Sequence, residues 1–180
     1  MGGSESPKPL LTKEEEAAFE EAVRELRPGL ILYVNGIVRN YDTAEDRAED
    51  CFVVFLRRKP HFADAAARKA WFYKVARNLA VDHLRKQSRM EPAGGSEDLP
   101  EEETVGVEEL LQQKEMQKAV YDALLQLPAH YAQALWLNAG EDLSISEIAA
   151  VMKLGKRQAE TLLYRARRAL KQKLRETGET

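Results

Sequence analysis

The stretch "LSISEIAAVMKLGKRQAETLLYRARRALKQKLRE", residues 143–176, has the spacing of a helix-turn-helix unit. Ser144 and Glu147 have capping-box spacing, in which a hydroxyl and a carboxylate satisfy the unpaired N–H groups at a helix start. The short helix that they begin is followed by a turn of about three residues containing Gly155 and by a longer helix. We expect the two helices to cross closely on small and apolar side chains: Ile148, Ala149, Met152, Leu154, Ala159 and Leu163.

The outer side of the longer helix is strongly basic. Residues 153–175 contain nine Lys or Arg side chains and a single acidic one, Glu160. Such a surface suits nucleic acid, because neutralising phosphates releases condensed counterions. In the alternative interpretation this is a solvated helix whose basic residues only complement the helix dipole. That role needs about one or two basic residues, in the last turn. The sequence therefore predicts a DNA-binding helix, with these residues facing DNA: Lys156, Arg157, Gln158, Glu160, Thr161, Tyr164, Arg165 and Arg168.

A second basic helix is predicted around "WFYKVARNLAVDHLRKQ", residues 71–87. Residues 68–90 carry seven basic side chains and one acid, Asp82. Three adjacent aromatics cannot all face one core, because successive helix residues point about 100° apart. One of them near the surface, beside basic residues, could stack unpaired bases. In the alternative interpretation Trp71 and Phe72 fill the core and Tyr73 lies at its boundary, and for Trp71 a core position is the better interpretation.

The segment "TAEDRAEDCFVVFLRRK", residues 43–59, predicts a helix with an apolar inner face. Acidic and aliphatic side chains share another face of it, formed by Asp46, Glu49, Asp50 and Val53. This mixture indicates a protein-docking surface, although an ordinary solvated face explains the segment equally well.

An acidic segment divides the chain. Residues 91–109 contain eight acidic side chains and no Lys or Arg, together with Pro and Gly, a composition that buries too little apolar surface to fold. We therefore predict a disordered N-terminus (1–12), a first unit (13–90), a flexible acidic linker (91–111) and a helix-turn-helix unit (112–176).

Both units are predicted to be helical, which makes this an all-α protein. Alternating strand patterns and hairpin turns are absent from the sequence. Thr12 with Glu15 has capping-box spacing, Thr43 with Asp46 is a weaker version, and Pro28 is expected to break or bend the first helix. The predicted helices span residues 13–39, 43–58, 66–89, 112–127, 129–139, 145–153 and 157–176.

Several classes of protein are disfavoured. One cysteine and three scattered histidines predict neither a disulfide scaffold nor a zinc site. The sequence lacks a Cys–His pair, a metal-ligand cluster, paired catalytic carboxylates and a Gly-rich phosphate loop, so we expect no enzyme, no catalytic residue, no metal and no cofactor. A signal peptide and an apolar run of about 18 residues are also missing, which predicts a cytoplasmic protein without a membrane span.

Four motifs, in this order and spacing, resemble the two-domain extracytoplasmic-function sigma factors of bacterial RNA polymerase. They are W-x-Y-x-x-A-R-N-x-A-x-D-x-L-R at 71–85, LP at 127–128, S-x-x-E-I-A at 144–149 and L-x-R-A-R at 163–167. The resemblance covers about residues 15–175. It implies a promoter-specificity subunit built from a region 2 helical bundle and a region 4 helix-turn-helix.

The resemblance also implies partners and roles. The β′ clamp helices of core RNA polymerase would bind the face formed by Asp46, Glu49, Asp50 and Val53. The β flap would bind the helix-turn-helix unit. The minus-ten promoter element would be melted by the loop around residues 61–66 and the third helix, while the helix-turn-helix reads the minus-thirty-five element. An anti-sigma factor is a further candidate partner. The residues assigned to the minus-ten element are Phe62, Tyr73, Lys74, Arg77, Asn78 and Arg85.

The chain departs from the family pattern at four positions. Glu160 replaces a usual Lys, Leu162 a usual Arg, Lys153 a frequent Gly and Glu49 a frequent Gln, so promoter sequence cannot be inferred. Two alternatives stay open: a stand-alone helix-turn-helix transcription regulator and an all-helical adaptor protein. The two domains could also fold onto each other and hide both basic surfaces.

Overall fold

The structure, a computed structural model, describes residues 11–90 and 104–178, and these residues form helices without any strand, as predicted. The α-helices are α1 (Lys13–Val38), α2 (Tyr41–Arg58), α3 (Ala65–Met90), α4 (Thr104–Gln113), α5 (Lys118–Leu125), α6 (Ala129–Leu135), α7 (Ile145–Met152) and α8 (Lys156–Gly178), with a π-helical turn at Trp136–Gly140. We call α1–α3 the first unit and α5–α8 the second unit. None of the described helices combines the length and apolar character that crossing a membrane requires.

Side-chain caps set the starts of several helices. Both predicted capping boxes are present: Thr12 with Glu15 begins α1, and Ser144 with Glu147 begins α7. The pKa of Glu15 is lowered, because its carboxylate accepts hydrogen bonds from the Thr12 backbone and from Lys59.

The weaker box predicted at Thr43 and Asp46 is wrong. Asn40 caps α2 instead, because its side-chain oxygen accepts a hydrogen bond of 2.9 Å from the Thr43 N–H. The helix therefore begins two residues earlier than predicted, at Tyr41.

We predicted that Pro28 breaks or bends the first helix; α1 continues through Pro28, so a break is wrong. A proline inside a helix costs about 3 kcal/mol, because one backbone hydrogen bond is lost and the ring crowds the preceding turn. Residues 28–35 are nevertheless all buried. Helices α2 and α3 of the first unit pack against α1, and so do α4 and α6, which lie outside the first unit. Burying one Leu or Ile side chain contributes about 1.5–3 kcal/mol, so the apolar residues after Pro28 more than offset its cost.

The structure differs from the sequence prediction between residues 104 and 117. Helix α4 occupies part of the predicted linker, because Leu110 and Leu111 are buried in the core. The helix predicted over 112–127 is interrupted by a turn in which Glu115 has a positive φ of 51°. The predictions for residues 1–10 and 91–103 lie outside the described residues.

One hydrophobic core runs through both units. It contains Phe52 and Tyr73 of the first unit together with Trp136 and Leu137 of the second. Helix α3 packs against α7, and α1 packs against α6. The two domains therefore fold onto each other, and we call this arrangement the closed form.

Candidate nucleic-acid interface

The predicted helix-turn-helix is formed by α7 and α8. Ile148, Ala149 and Met152 of α7 are buried with Ala159 and Leu163 of α8, which lets the two helices cross closely. The turn begins at Lys153, which ends α7 in the left-handed conformation with φ 57°. A lysine in this conformation carries steric strain, because its β-carbon crowds the backbone.

All eight residues predicted on the outer face of the helix-turn-helix are exposed. The guanidinium of Arg168 lies 5.8 Å from the centre of the Tyr164 ring, so these two side chains form a stacked cation–π pair at the surface. The Thr161 hydroxyl donates a hydrogen bond to the Arg157 carbonyl.

Gln158 has a local role that sequence reasoning missed. Its side-chain carbonyl accepts a hydrogen bond of 2.8 Å from the Gly155 N–H at the start of α8. The amide oxygen therefore keeps one of its two lone pairs for other donors, and both N–H groups of the NH₂ remain available to a DNA base.

The two basic surfaces meet along a groove in the closed form. A cavity of about 580 Å³ lies between Arg77 of α3 and Arg157 and Arg165 of α8, with His130 and Tyr131 at its wall. A second groove, of about 790 Å³, continues along α8 past Arg165 to the lining residues Arg168, Lys171 and Arg175. The described lining residues include no acid, so both grooves favour anions.

The six residues assigned to the minus-ten element have different environments. Lys74, Asn78 and Arg85 are exposed on α3. Phe62, in the loop before α3, is half-buried with its ring centre 5.7 Å from that of Trp71. Of the other two, Arg77 is half-buried at the wall of the 580 Å³ groove, whereas Tyr73 is fully buried and does not reach the surface.

The interpretation of Tyr73 as a boundary residue is wrong. Tyr73 has no exposed surface, whereas Trp71 is half-buried. The Tyr73 ring packs edge-on against Tyr33 of α1 at 5.0 Å, and its hydroxyl accepts a hydrogen bond of 3.4 Å from the Trp136 indole N–H. Helix α1 and the second unit thus cover it from two sides.

Glu141 is a buried carboxylate at the contact between the units, and sequence reasoning missed it. It follows the π-helical turn and is only 4% exposed. Lys114 Nζ lies 3.0 Å from one carboxylate oxygen and Lys69 Nζ lies 3.7 Å from the other. The buried Tyr73 hydroxyl lies beside the Glu141 carboxylate; burial first, and then this negative charge, raise the Tyr73 pKa well above its usual value.

Gly29 allows Glu141 to come this close to α1. A β-carbon at position 29 would overlap both the Glu141 carboxylate and the Tyr73 hydroxyl. At Gly36, two turns further along the same helix, a β-carbon would meet open space.

Two polar side chains of the second unit, Gln133 and Tyr121, each make two further hydrogen bonds to the first unit. Gln133 of α6 accepts a hydrogen bond of 3.0 Å from Arg77 Nε and one of 3.4 Å from the Tyr33 hydroxyl. The Tyr121 hydroxyl of α5 donates a hydrogen bond to the Leu32 carbonyl and accepts one from Asn35. Burial, as the main cause, raises the pKa of Tyr121 to about 12.

The predicted docking face on α2 is largely open. Asp46, Glu49 and Val53 are exposed, and Val53 has 43% of its surface free. Asp50 is half-buried and pairs with Arg47 at 3.1 Å, while Glu49 pairs with Arg27 at 2.7 Å. The face therefore offers an apolar centre bordered by carboxylates.

Comparison with known proteins identifies both units. A family model described as Sigma-70 region 2 matches residues 22–90, and one described as Sigma-70, region 4 matches residues 117–170. The RNA polymerase sigma factor SigV of Bacillus subtilis is 30% identical over 132 residues, which cover 72% of this chain and 74% of the relative. The ECF RNA polymerase sigma-E factor of Escherichia coli is 26% identical over 138 residues, 72% of each chain.

A solved structure has a similar fold. It is the sigma factor RpoE of Bartonella quintana, crystallised in complex with the anti-sigma factor NepR. The TM-score is 0.64 at 21% identity, and the match covers 88% of this chain and 97% of that one. At this identity the similarity supports the fold alone.

Proposed function

The chain belongs to the sigma-70 family of RNA polymerase sigma factors, in the extracytoplasmic-function group, and we propose how its helices divide the work of promoter-specific initiation. As a sigma factor it directs RNA polymerase to start transcription. The observation that carries the division is that the region 2 and region 4 matches fall on separate units, each with a basic helix. RNA synthesis stays with the core enzyme, so no catalytic residue is assigned, and we place the protein in the cytoplasm with the chromosome.

Helix α2 is proposed to dock on the β′ clamp helices of core RNA polymerase. Exposed Val53 supplies an apolar centre, and Asp46, Glu49 and Asp50 border it. Interfaces of this kind gain affinity from the desolvated centre, while rim charges mainly set specificity and association rate.

Helix α3 and the loop before it are proposed to open the minus-ten element. Flipping a base out of the duplex costs a few kcal/mol, which stacking on an aromatic and contacts to the strand can offset. Exposed Lys74 and Arg85 would hold the strand, and Asn78 between them would contact it. Tyr73 and Arg77 complete the set only after they leave their contacts with the second unit.

Helix α8 is proposed to read the minus-thirty-five element in the major groove. Arg157 can donate two hydrogen bonds to guanine O6 and N7, and Glu160 can accept one from cytosine N4. Each good contact of this type discriminates against a wrong base by about 1–3 kcal/mol. Lys156, Arg165 and Arg168 supply charge for phosphates, and the β flap of the polymerase is the proposed protein contact of this unit.

Reconstitution tests the proposal directly. The purified chain is added to core RNA polymerase with fragmented bacterial genomic DNA, and transcript starts are sequenced. We expect discrete starts that share two elements and that need both proteins. Tight operator binding without polymerase, and no new starts with it, would instead indicate a stand-alone regulator.

Matched variants test the division of roles. Arg157→Ala should weaken use of the minus-thirty-five element, while Arg58→Ala, at an exposed arginine at the end of α2, should not. Asn78→Ala should slow promoter opening, measured with permanganate, without changing binding to closed duplex. The assignment of melting to α3 is wrong if opening proceeds normally in that variant.

An anti-sigma factor remains a proposed partner. The Bartonella quintana neighbour is a sigma factor crystallised with an anti-sigma factor, which supports a partner of the same class for this chain. Co-purification from the native host, followed by inhibition of reconstituted transcription by the captured protein, would establish the interaction.

A further inference from the structure

The two basic grooves of the closed form run into each other. Tyr131 and Arg165 line both the groove of about 580 Å³ and the groove of about 790 Å³, so one continuous channel passes along α8. Arg77 comes from the first unit, and the other described lining residues come from the second. The complete channel therefore exists only while the two units are packed together.

The first part of the channel combines an apolar floor with a cationic rim. Met152 is buried and Leu154 and Leu162 are half-buried, so these side chains lie deeper than the exposed Arg157 and Arg165. A free inorganic anion would use the rim and gain nothing from the floor. The floor instead suits an organic group attached to the anion.

Two rings stand at the wall of this part. The ring centres of His130 and Tyr131 are 4.6 Å apart with a tilt of 57°, and His130 is exposed while Tyr131 is half-buried. Unpaired bases stack on such rings whatever their sequence, because every base has a π-face. The bases of a duplex are already stacked on one another and present only their edges.

The second part of the channel is a row of cations. Arg165, Arg168, Lys171 and Arg175 recur at intervals of three or four residues and therefore share one side of α8. From Arg157 to Arg175 the helix is about 27 Å long at about 1.5 Å per residue. This is the length of about eight stacked nucleotides at about 3.4 Å each, which lies within the range of known single-strand sites.

The channel differs from the surface assigned to the minus-thirty-five element. Glu160 and Tyr164 belong to that surface, and neither is among the described lining residues of the two grooves. The channel instead adds His130, Tyr131 and Lys171, which have no part in the proposed reading of the promoter.

We propose that this channel binds a single-stranded nucleic acid in the closed form, with unpaired bases on Tyr131 and His130 and phosphates along the cations of α8. This activity is additional to promoter recognition. RNA and single-stranded DNA share the required chemistry, and the test distinguishes them.

The first test measures fluorescence anisotropy of labelled strands of about ten uridines or thymidines with the full chain. Tyr131→Leu should weaken binding by about 5- to 10-fold, because one stacking surface is lost, whereas Tyr131→Phe keeps the ring and should bind like the natural chain. His130→Ala, at an exposed position, should also weaken binding and decides the question if Tyr131→Leu loses helicity. Unchanged affinity in both the Leu and the Ala variants would overturn the proposal.

A strand without bases separates nucleic acid from anions in general. An abasic strand of the same length carries the same phosphates and should bind at least about fivefold more weakly. Equal binding would show a simple anion site and would contradict the proposal. Tighter binding of the uridine strand would identify RNA as the ligand, and tighter binding of the thymidine strand would identify DNA.

Salt dependence tests the row of cations. A single strand contributes about −0.7 per phosphate contact, so the six cations of the channel predict a slope of about −4.2. Lys171→Gln combined with Arg175→Gln should reduce it to about −2.8. The control combines Arg24→Gln with Arg58→Gln, two exposed arginines of α1 and α2 that line neither groove. Equal slopes for the two double variants would refute the channel as the site.

Crosslinking locates the strand. A strand carrying 5-iodouracil is irradiated with the full chain, and the crosslinked peptides are identified by mass spectrometry. We expect crosslinks at Tyr131 or His130. Crosslinks confined to α3, together with weaker binding in Asn78→Ala alone, would place the strand on the promoter-opening face and overturn the proposal. Failure of the holoenzyme to give discrete transcripts would count against the proposed function and would leave these binding results unchanged.

Discussion

Replacement of Arg157 should change how DNA binding depends on salt, and the size of the change can be worked out from α8. Among the eight residues predicted to face DNA, four are exposed cations: Lys156, Arg157, Arg165 and Arg168. If each neutralises one phosphate, the logarithm of the duplex binding constant should fall against the logarithm of salt with a slope of about −3.6, or about −0.9 per contact. Arg157→Ala should therefore reduce the slope to about −2.7.

The assay is fluorescence anisotropy of a labelled duplex of mixed sequence, titrated with the full chain between about 50 and 200 mM salt. Over that range each phosphate contact changes affinity by about 3.5-fold. Arg58→Ala is the matched control, because Arg58 is an exposed arginine at the end of α2 and its loss changes the net charge of −3 by the same amount. Equal changes of slope in both variants would refute the reasoning, since overall charge rather than the α8 surface would then govern binding.

Three other perturbations follow from the structure. Lys153→Gly should raise the melting temperature by about 2–4 °C, because it removes about 1 kcal/mol of strain from the left-handed backbone. Ala150→Gly, on the exposed side of α7, should lower the melting temperature. A lower melting temperature in both variants would contradict the strain at Lys153. Leu163→Ala should cost about 3–5 kcal/mol in denaturant unfolding, because the side chain is 1% exposed between α7 and α8, whereas the half-buried Leu174→Ala should cost less. Burial raises the pKa of Tyr33, Tyr73 and Tyr121, so the folded state favours their neutral phenols. Their contribution to stability should be complete below pH 10 and should be lost as the pH rises toward about 12, the pKa of Tyr121. Phenolate absorbance from these three tyrosines should appear together with unfolding, and titration near pH 10 without unfolding would show that they are not buried.

Most of the fold could be predicted from local sequence signals, namely helix caps and the helical spacing of apolar residues. The boxes at Thr12 and Ser144 begin helices because a hydroxyl followed three residues later by Glu satisfies N–H groups wherever it occurs. The helix-turn-helix was equally readable, since the buried positions of α7 and α8 recur at helical spacing. The cap at Asn40 was missed because Thr43 offered a competing signal three residues away.

Long-range packing explains the differences. Pro28 and the helix α4 were misjudged because their neighbours in space come from distant sequence: α6 packs on α1, and Leu110 and Leu111 enter a core that composition alone could not indicate. A signal was present in "PGLILYV", residues 28–34, an apolar run with no polar side, which is typical of a helix surrounded by others.

The exposed residues of the candidate site could be predicted from the sequence, but the packing of one unit on the other could not. The DNA-facing residues of α8 follow from charge and helical periodicity, which are properties of the local sequence. The burial of Tyr73 depends on Glu141 and Trp136, more than sixty residues away, and a single Glu in "LWLNAGEDL" looks like a surface residue. The roles of individual residues at the promoter remain predictions.

The enclosure of residues 28–35 of α1 has a consequence during biosynthesis. The ribosome releases α1 to α3 before α5 to α8 exist, and at about 5–20 residues per second the remaining half of the chain takes about 5–20 s to emerge. Throughout that interval the side of residues 30–34 destined to meet α6 faces water, and such a strip is sticky toward other nascent chains. Because one helix packs against both units, we expect a chaperone to bind this strip in the nascent chain. We also expect recombinant fragments that end near residue 90 to be poorly soluble.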